Sequence, residues 1–235
     1  MHNIQGGIEM YYDSTILILI PAIIFSLIAQ GMVKSTFAKY SKERNSRGMT
    51  GYDAARAILD RGGLSHVRIE RISGELTDHY DPKANVIRLS DSVYDKDTVA
   101  AVGVAAHEAG HALQYDTDYF PIKIRNSIIP VTRIGSSLST PLVLLGIVFS
   151  AEFLITAGIL LFSAVVFFQV VTLPVEFNAS RRAIESLRDD AFLADDELNG
   201  AKKVLTAAAM TYVAAMVSAL LSLVRLILLS NRRRD

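Results

Sequence analysis

Two histidines and a glutamate stand within five residues of one another, at a spacing that suits metal chemistry. His107 and His111 are four positions apart, so on a helix both imidazoles lie on one face and can bind the same ion. Two neutral imidazoles with one carboxylate suit zinc, which in catalytic sites keeps a fourth position for water. Glu108 is then placed to take a proton from that water as it attacks a carbonyl. The pattern predicts zinc-dependent hydrolysis without a covalent intermediate.

The surrounding sequence predicts one apolar helix over residues 98–113, TVAAVGVAAHEAGHAL. Asp95 or Asp97 is predicted to cap its start. The charged or imidazole side chains in this stretch are the three that the chemistry requires. The alternative is a pair of ordinary core histidines beside a buried glutamate. An unpaired buried carboxylate is costly, so we favour the metal site.

The elements that must position this helix precede it in the chain. Residues 50–61 predict a short helix that opens on a capping-box-like pattern of Thr50 and Asp53. Three strand-like runs follow, at residues 67–72, 76–80 and 86–89. A small sheet beside the zinc helix suits a peptidase, because an exposed strand edge can hold an extended peptide by main-chain hydrogen bonds.

A third zinc ligand has to come from elsewhere in the chain. The metzincin pattern needs Gly and His where this chain has Gln114 and Thr117, so that class is excluded. The best candidate is Glu176, in the run LPVEFNASRRA, which follows the third apolar segment. We expect Glu176 to open a helix and to share a face with Ser180. The rival candidates for the third position are His79, Asp81 and Asp116.

Composition points to a membrane protein. Hydrophobic residues make up 51% of the 235 residues, the mean hydropathy is +0.31, and 24 basic residues balance 24 acidic ones. This balance gives no argument for nucleic-acid binding. The chain has no cysteine, which excludes disulfides and thiolate ligands and agrees with a reducing compartment.

Long apolar runs predict three to four membrane helices. They occupy residues 15–33, 134–151, 153–173 and 207–229. The first is expected to be an anchor and not a cleaved signal peptide, because basic residues follow it and none precedes it. The two middle runs flank Glu152 and predict a hairpin, since one helix of their joint length would be about 60 Å long, twice the bilayer core. The last run either spans or packs as a re-entrant or interfacial helix, and residues 116–133 are expected to lie along the membrane surface.

The distribution of Lys and Arg predicts the orientation. Residues 34–47 and 181–203 carry five basic residues each, and the hairpin loop carries none. The positive-inside rule therefore places the catalytic parts on the cytoplasmic face of a multi-pass protein of the cell membrane. The arginine cluster at residues 232–234 opposes this orientation if the last run spans.

The predicted fold is a mostly α integral membrane protein with a small β-sheet beside a gluzincin-type HExxH helix. We divide the chain into a polar segment and anchor, a zincin-like part, a transmembrane hairpin, a helix with the third ligand, and an apolar C-terminal helix with a basic tail. Their bounds are residues 1–33, 34–133, 134–173, 174–206 and 207–235.

Three motifs together carry a family resemblance: HEAGHALQ, the preceding LTDHYDP, and LPVEFNASRRA after two apolar segments. They resemble the YugP-type family of neutral zinc metallopeptidases of bacterial membranes, over nearly the whole chain from NSRGMTG onward. More distantly the chain resembles HtpX-like and CAAX-prenyl proteases. The resemblance implies that His107, His111 and Glu176 bind zinc and that Glu108 is the general base.

One position departs from the distant relatives, which have Asp where this chain has Ser180. A second carboxylate that orients a ligand is therefore not expected there, and Ser180 or Asn178 would have to take that role.

The function predicted is a membrane-embedded zinc peptidase that cleaves proteins or peptides near the bilayer, with no nucleic-acid partner. A zinc hydrolase of a non-peptide amide or ester, and a non-catalytic membrane scaffold with a structural zinc site, are the alternatives. An oxyanion donor near the zinc is expected from His79, Tyr80 or Tyr212.

Overall fold

The structure, a computed structural model, describes residues 14–231, so the polar segment 1–13 and the arginine cluster 232–234 lie outside the described residues. A 3₁₀ turn, Ser14–Leu19, leads into the first α-helix. The helices are α1 (Ile20–Tyr40), α2 (Gly51–Arg61), α3 (Val99–Asp116), α4 (Phe120–Phe149), α5 (Glu152–Asp189) and α6 (Asp195–Asn231). The strands are β1 (Arg68–Ile72), β2 (His79–Asp81) and β3 (Val86–Ser90). The predicted fold class, mostly helical with a small sheet, is confirmed.

Within residues 14–231, four helices are long and apolar enough to cross a membrane: α1 with its 3₁₀ turn, α4, α5 and α6. The predicted hairpin is present, because the chain turns at Ser150 between α4 and α5. Its helices lie so close that a Cβ on Gly158 would be 2.7 Å from the Ser139 carbonyl oxygen. The fourth apolar run is part of one continuous helix, α6, in place of a re-entrant element.

Two predicted helix starts are corrected. Helix α4 already begins at Phe120, so residues 120–133 are not a separate surface segment but its first turns, with Pro130 inside the helix. Neither Asp95 nor Asp97 caps α3, because the side chain of Thr98 accepts the hydrogen bond from the Ala101 N–H. A hydroxyl directly before the first turn reaches that N–H, which the more distant carboxylates do not.

The soluble elements follow the prediction closely. Helix α2 opens on the predicted capping box, with Thr50 and Asp53 satisfying each other's backbone N–H groups. The sheet has the order β1-β3-β2, in which β1 pairs with β3 in parallel and β2 pairs with β3 antiparallel. Strand β2 is thus an edge strand, and it packs against α3.

Helix α3 is the centre of the soluble part and packs against α2, α5 and α6. Its alanines are buried almost without exception, which lets the neighbouring backbones approach closely. A Cβ on Gly110 would lie 2.6 Å from the Ala179 carbonyl oxygen of α5, so only glycine fits there. This contact brings the zinc-motif helix onto a membrane helix.

Candidate metal centre

The structure brings His107, His111 and Glu176 together. Glu176 Oε2 lies 3.4 Å from His107 Nε2 and 3.6 Å from His111 Nε2. One donor atom from each residue lies within 4.8 Å of the other two. The two imidazole rings meet edge to face, with centroids 4.7 Å apart, as expected for positions four apart on a helix.

This arrangement fits a zinc ion. Four donors at 2.0–2.2 Å around a tetrahedral centre are separated by about 3.3–3.6 Å, which is the spacing of Glu176 Oε2 from both imidazoles. Glu176 is buried, yet its Oε2 atom has no hydrogen-bond partner among the described residues. A buried carboxylate oxygen without a donor is costly unless a cation binds it. The donor set, two imidazoles and one carboxylate without thiolate, is the one that catalytic zinc sites use.

The sequence predicted that Glu176 opens a helix, and this prediction is wrong. It lies inside α5, which runs without a break from Glu152 to Asp189 and contains Pro174. Proline removes one backbone N–H, but neighbouring helices support such a residue in a membrane helix. The candidate membrane span and the segment that carries Glu176 are therefore parts of one continuous helix. Ser180 does lie on the same side of it as Glu176, since both face His107.

The outer nitrogen of each histidine has its own partner. The Nδ1 atom of His107 lies 3.1 Å from the Ser180 hydroxyl, and that of His111 lies 3.0 Å from the amide oxygen of Gln114. The Gln114 amide nitrogen donates to the Val175 carbonyl, which fixes its orientation, so His111 must donate from Nδ1. The Nε2 lone pair is then free for a metal.

Gln114 is fully buried and also donates to Asn178 Oδ1, at 3.0 Å. Thus Ser180 contacts one histidine directly, and Asn178 acts on the other through Gln114. Sequence reasoning had noted Gln114 only as a departure from the metzincin pattern. Its position three residues after His111, on the same helix face, was the signal that could have indicated its role.

The electrostatics of the cluster favour a cation. Burial lowers the pKa of His111, but the nearby carboxylate of Glu176 and the negative charge of Glu108 outweigh it, so the pKa is raised. The negative charges of the site therefore favour the positively charged form of His111, although this imidazole is buried.

Glu108 is buried on α3 beside the cluster but outside the set of three donors. Two cavities meet at this carboxylate, and both are also lined by His107, Glu176 and Tyr212. The first has a volume of about 190 Å³ and mostly apolar walls. The second is about 630 Å³, more polar, and lies between β2, α4, α5 and α6. The cluster is thus open to incoming molecules from two directions.

The rival ligands lie outside the cluster. His79 and Tyr80 line the polar cavity, where His79 Nδ1 contacts the Thr77 carbonyl at 2.9 Å. Asp81 accepts a hydrogen bond from Arg88 and two backbone N–H groups. Asp116 is exposed at the end of α3. Of the predicted oxyanion donors, Tyr212 is the one that lines both cavities.

Two charged residues at the site were missed. Arg125 of α4 donates to Glu176 Oε1 at 3.2 Å and lines the polar cavity. Near the start of a membrane helix, a basic residue is ordinarily interpreted as an interfacial charge, which hid its role. Asp78 lines both cavities and accepts hydrogen bonds from the Ser90 N–H and hydroxyl. Burial and the nearby Glu108 charge raise its pKa, while the bonds from Ser90 lower it.

Comparisons with known proteins identify the family of the chain. The family model described as "Putative neutral zinc metallopeptidase" matches residues 15–231. A protein of Bacillus subtilis (strain 168), described as "Putative membrane protease YugP", is 47% identical over 220 residues. That match covers 94% of this chain and 98% of the relative. No solved structure matches the chain.

Proposed function

Because the chain belongs to this family of neutral zinc metallopeptidases, we propose that it cleaves peptide bonds in protein segments at a membrane surface. The observation that supports this most is the position of Glu108. It lies at the junction of two cavities, next to three donors spaced for zinc but not among them. A purely structural zinc site is closed by a fourth protein ligand, whereas a hydrolytic site leaves one position open.

The residues have separate roles in the proposed reaction. His107, His111 and Glu176 hold zinc, which when bound polarises the scissile carbonyl and lowers the pKa of water. Glu108 takes a proton from the attacking water and delivers it to the leaving amine, as a general base and then a general acid. Tyr212 donates its hydroxyl to the developing oxyanion from the opposite wall.

A second group of residues sets the geometry. Ser180 and Gln114 orient the imidazoles, and Arg125 holds Glu176 through its Oε1 atom, leaving Oε2 for the metal. The edge strand β2 borders the polar cavity with His79 and Tyr80. Its free edge is positioned to pair with the main chain of an extended substrate.

We place the site at the level where the candidate membrane helices would leave the bilayer. On α1, α5 and α6 the apolar stretch ends at exposed basic side chains close to the cavities: Lys34, Arg181 and Lys202. Basic residues at this position mark the headgroup region. The proposed substrate is therefore a protein or peptide segment next to the membrane. The lipid bilayer is the second proposed partner.

We place the site on the cytoplasmic face, following the basic residues at 34–47 and 181–203. The chain has no cysteine, so single cysteines report sidedness cleanly. Ser46→Cys should resist a membrane-impermeant thiol reagent in intact cells, and Glu152→Cys should react. The reverse labelling pattern would put the proteolysis on the outer face.

The decisive test compares purified wild-type protein with Glu108→Gln. We expect both to hold about one zinc per chain, while peptide cleavage falls by a factor on the order of hundreds or more in the variant. Equal cleavage by the two proteins would reject Glu108 as the base. Zinc binding without any cleavage by the wild type would favour the structural scaffold, and cleavage confined to non-peptide amides or esters would change the substrate class.

A further inference from the structure

The smaller cavity differs in chemistry from the larger one, although both reach Glu108. Outside the metal centre most of its wall consists of apolar side chains of α1, α3 and α6. They are Val33, Phe37, Val104, Val204, Leu205, Ala208 and Ala209. Leu76, in the loop between β1 and β2, adds a further apolar group, and Asp78, Ser180 and Tyr212 supply polar ones. In the apolar part of this space a charged or polar group would lose its hydration without replacement.

The volume of this cavity sets the size of what it can hold. It measures about 190 Å³, and an apolar cavity of roughly 150 Å³ is known to hold a benzene molecule. A leucine, methionine or phenylalanine side chain therefore fits, whereas an indole ring is a tight fit. On α6 the small side chain of half-buried Ala208 lines the space, so a larger side chain there would reduce the volume.

The cavity is also directly joined to the reacting centre. Glu108, His107 and Glu176 form part of its lining, so a side chain inside it belongs to a residue beside the bond under attack. The polar cavity also reaches this carboxylate. Glu108 thus borders a mostly apolar space and a more polar one.

We infer that the cavity is a specificity subsite for one large apolar side chain next to the scissile bond, and that Ala208 sets its depth. As a statement about proteolysis, this inference rests on the proposed function. The binding preference itself can be measured without any cleavage.

The experiment uses full-length zinc-loaded protein in detergent and two hydroxamates, acetyl-leucine hydroxamate and acetyl-alanine hydroxamate. The hydroxamate group binds zinc equally in both, so the ratio of their affinities reports the side-chain site alone. The two ligands differ by three carbons, each worth about 0.8 kcal/mol on burial, so the leucine compound should bind on the order of fiftyfold more tightly. Isothermal titration calorimetry gives the ratio.

Ala208→Leu fills the cavity and should remove most of this preference while zinc content stays unchanged. Val217→Leu is the control, because Val217 is a half-buried residue of α6 that lines neither cavity. It should keep the preference for leucine. Val104→Ala enlarges the apolar space from the α3 side and should favour a naphthylalanine hydroxamate over the leucine compound.

Equal affinity of the wild type for the two hydroxamates would overturn the subsite, as would a leucine preference that survives in Ala208→Leu. The preference for leucine without cleavage of any peptide would leave the subsite standing and reject the peptidase function. If peptides are cleaved, sequencing of the fragments should show a large apolar residue at one fixed position beside the cleaved bond. The preference for a large apolar residue at that position should be weaker in Ala208→Leu.

Discussion

Helices α3 and α5 both supply the metal centre, but they are built on different principles. Helix α3 lies outside the candidate membrane spans and is largely buried, and the candidate ligands His107 and His111 are neighbours on one of its faces. Helix α5 is a candidate membrane helix of 38 residues that contributes one candidate ligand, Glu176, and Pro174 lies within its length. Helix α3 thus contributes a local sequence motif, and α5 contributes one side chain that tertiary packing places next to that motif.

The difference teaches which parts of the site are local and which depend on packing. The histidine pair follows from helix geometry alone, so it would form in any helix with this sequence. Glu176 reaches the pair only because Gly110 lets the two backbones approach, with no space for a Cβ beside Ala179. Substitutions that act on α3 alone, on α5 alone, or on their crossing should therefore have different effects.

The largest effect is expected at the crossing. Gly110→Ala forces a Cβ against the Ala179 carbonyl, so the helices must separate, at a cost of about 1–3 kcal/mol. We expect zinc retention to be lost and the melting temperature to fall. Gly103→Ala is the matched control on the same helix, where the Cβ would meet the side chain of Ala201 at 3.2 Å. If both variants keep zinc equally well, the close approach does not assemble the site.

The next effect concerns the ligand on α5. Glu176→Gln replaces the carboxylate by a neutral amide, a poor ligand, and should lower zinc affinity by roughly ten- to a hundredfold. Glu108→Gln, on α3, should leave zinc affinity unchanged. Titration of both variants with a graded series of chelators measures this. Wild-type zinc affinity in Glu176→Gln would move the third ligand elsewhere, with His79 or Asp116 tested next.

A smaller effect distinguishes the two groups that orient the histidines. Ser180→Ala removes one contact to His107, and we expect zinc affinity to fall about tenfold or less. Gln114→Ala removes the contact to His111 together with two bonds to α5, so its effect should be greater and should include a lower melting temperature. A larger loss in Ser180→Ala than in Gln114→Ala would reverse this ranking.

The smallest effect concerns Asp78, which belongs to neither helix but borders the site. Its pKa is raised in the folded protein, mainly by burial, so the folded state keeps this proton at a pH where the unfolded state has lost it. The contribution of Asp78 to stability therefore falls as pH rises through that window. Asp78→Asn can still accept from the Ser90 N–H through its one amide oxygen, its amide N–H would donate to the Ser90 hydroxyl in place of accepting from it, and the titration is removed. As pH rises above about 4, the ordinary pKa of an aspartate, the melting temperature of the variant should increase relative to that of the wild type, and a constant difference would contradict this.

The comparison also shows what the sequence alone could predict. The zinc motif, the capping box of α2 and the apolar spans were predictable because each is a pattern of residues that act within one or two helical turns. The continuity of α5 was not, because Pro174 ordinarily ends a helix and only its packing among neighbouring helices allows it to continue. The contacts of Arg125 and Gln114 with α5 join residues more than 50 positions apart, which no local pattern encodes.

The separation of the donors along the chain has a consequence for biosynthesis. Ribosomal synthesis completes both histidines of α3 well before Glu176, and the whole hairpin of α4 and most of α5 lies between them. Until that hairpin has packed against α3, the nascent chain presents two of the three candidate donors, one fewer than a catalytic zinc site uses. Membrane insertion is therefore the step that brings the three donors together, and under the proposed function a newly made chain gains its activity only then.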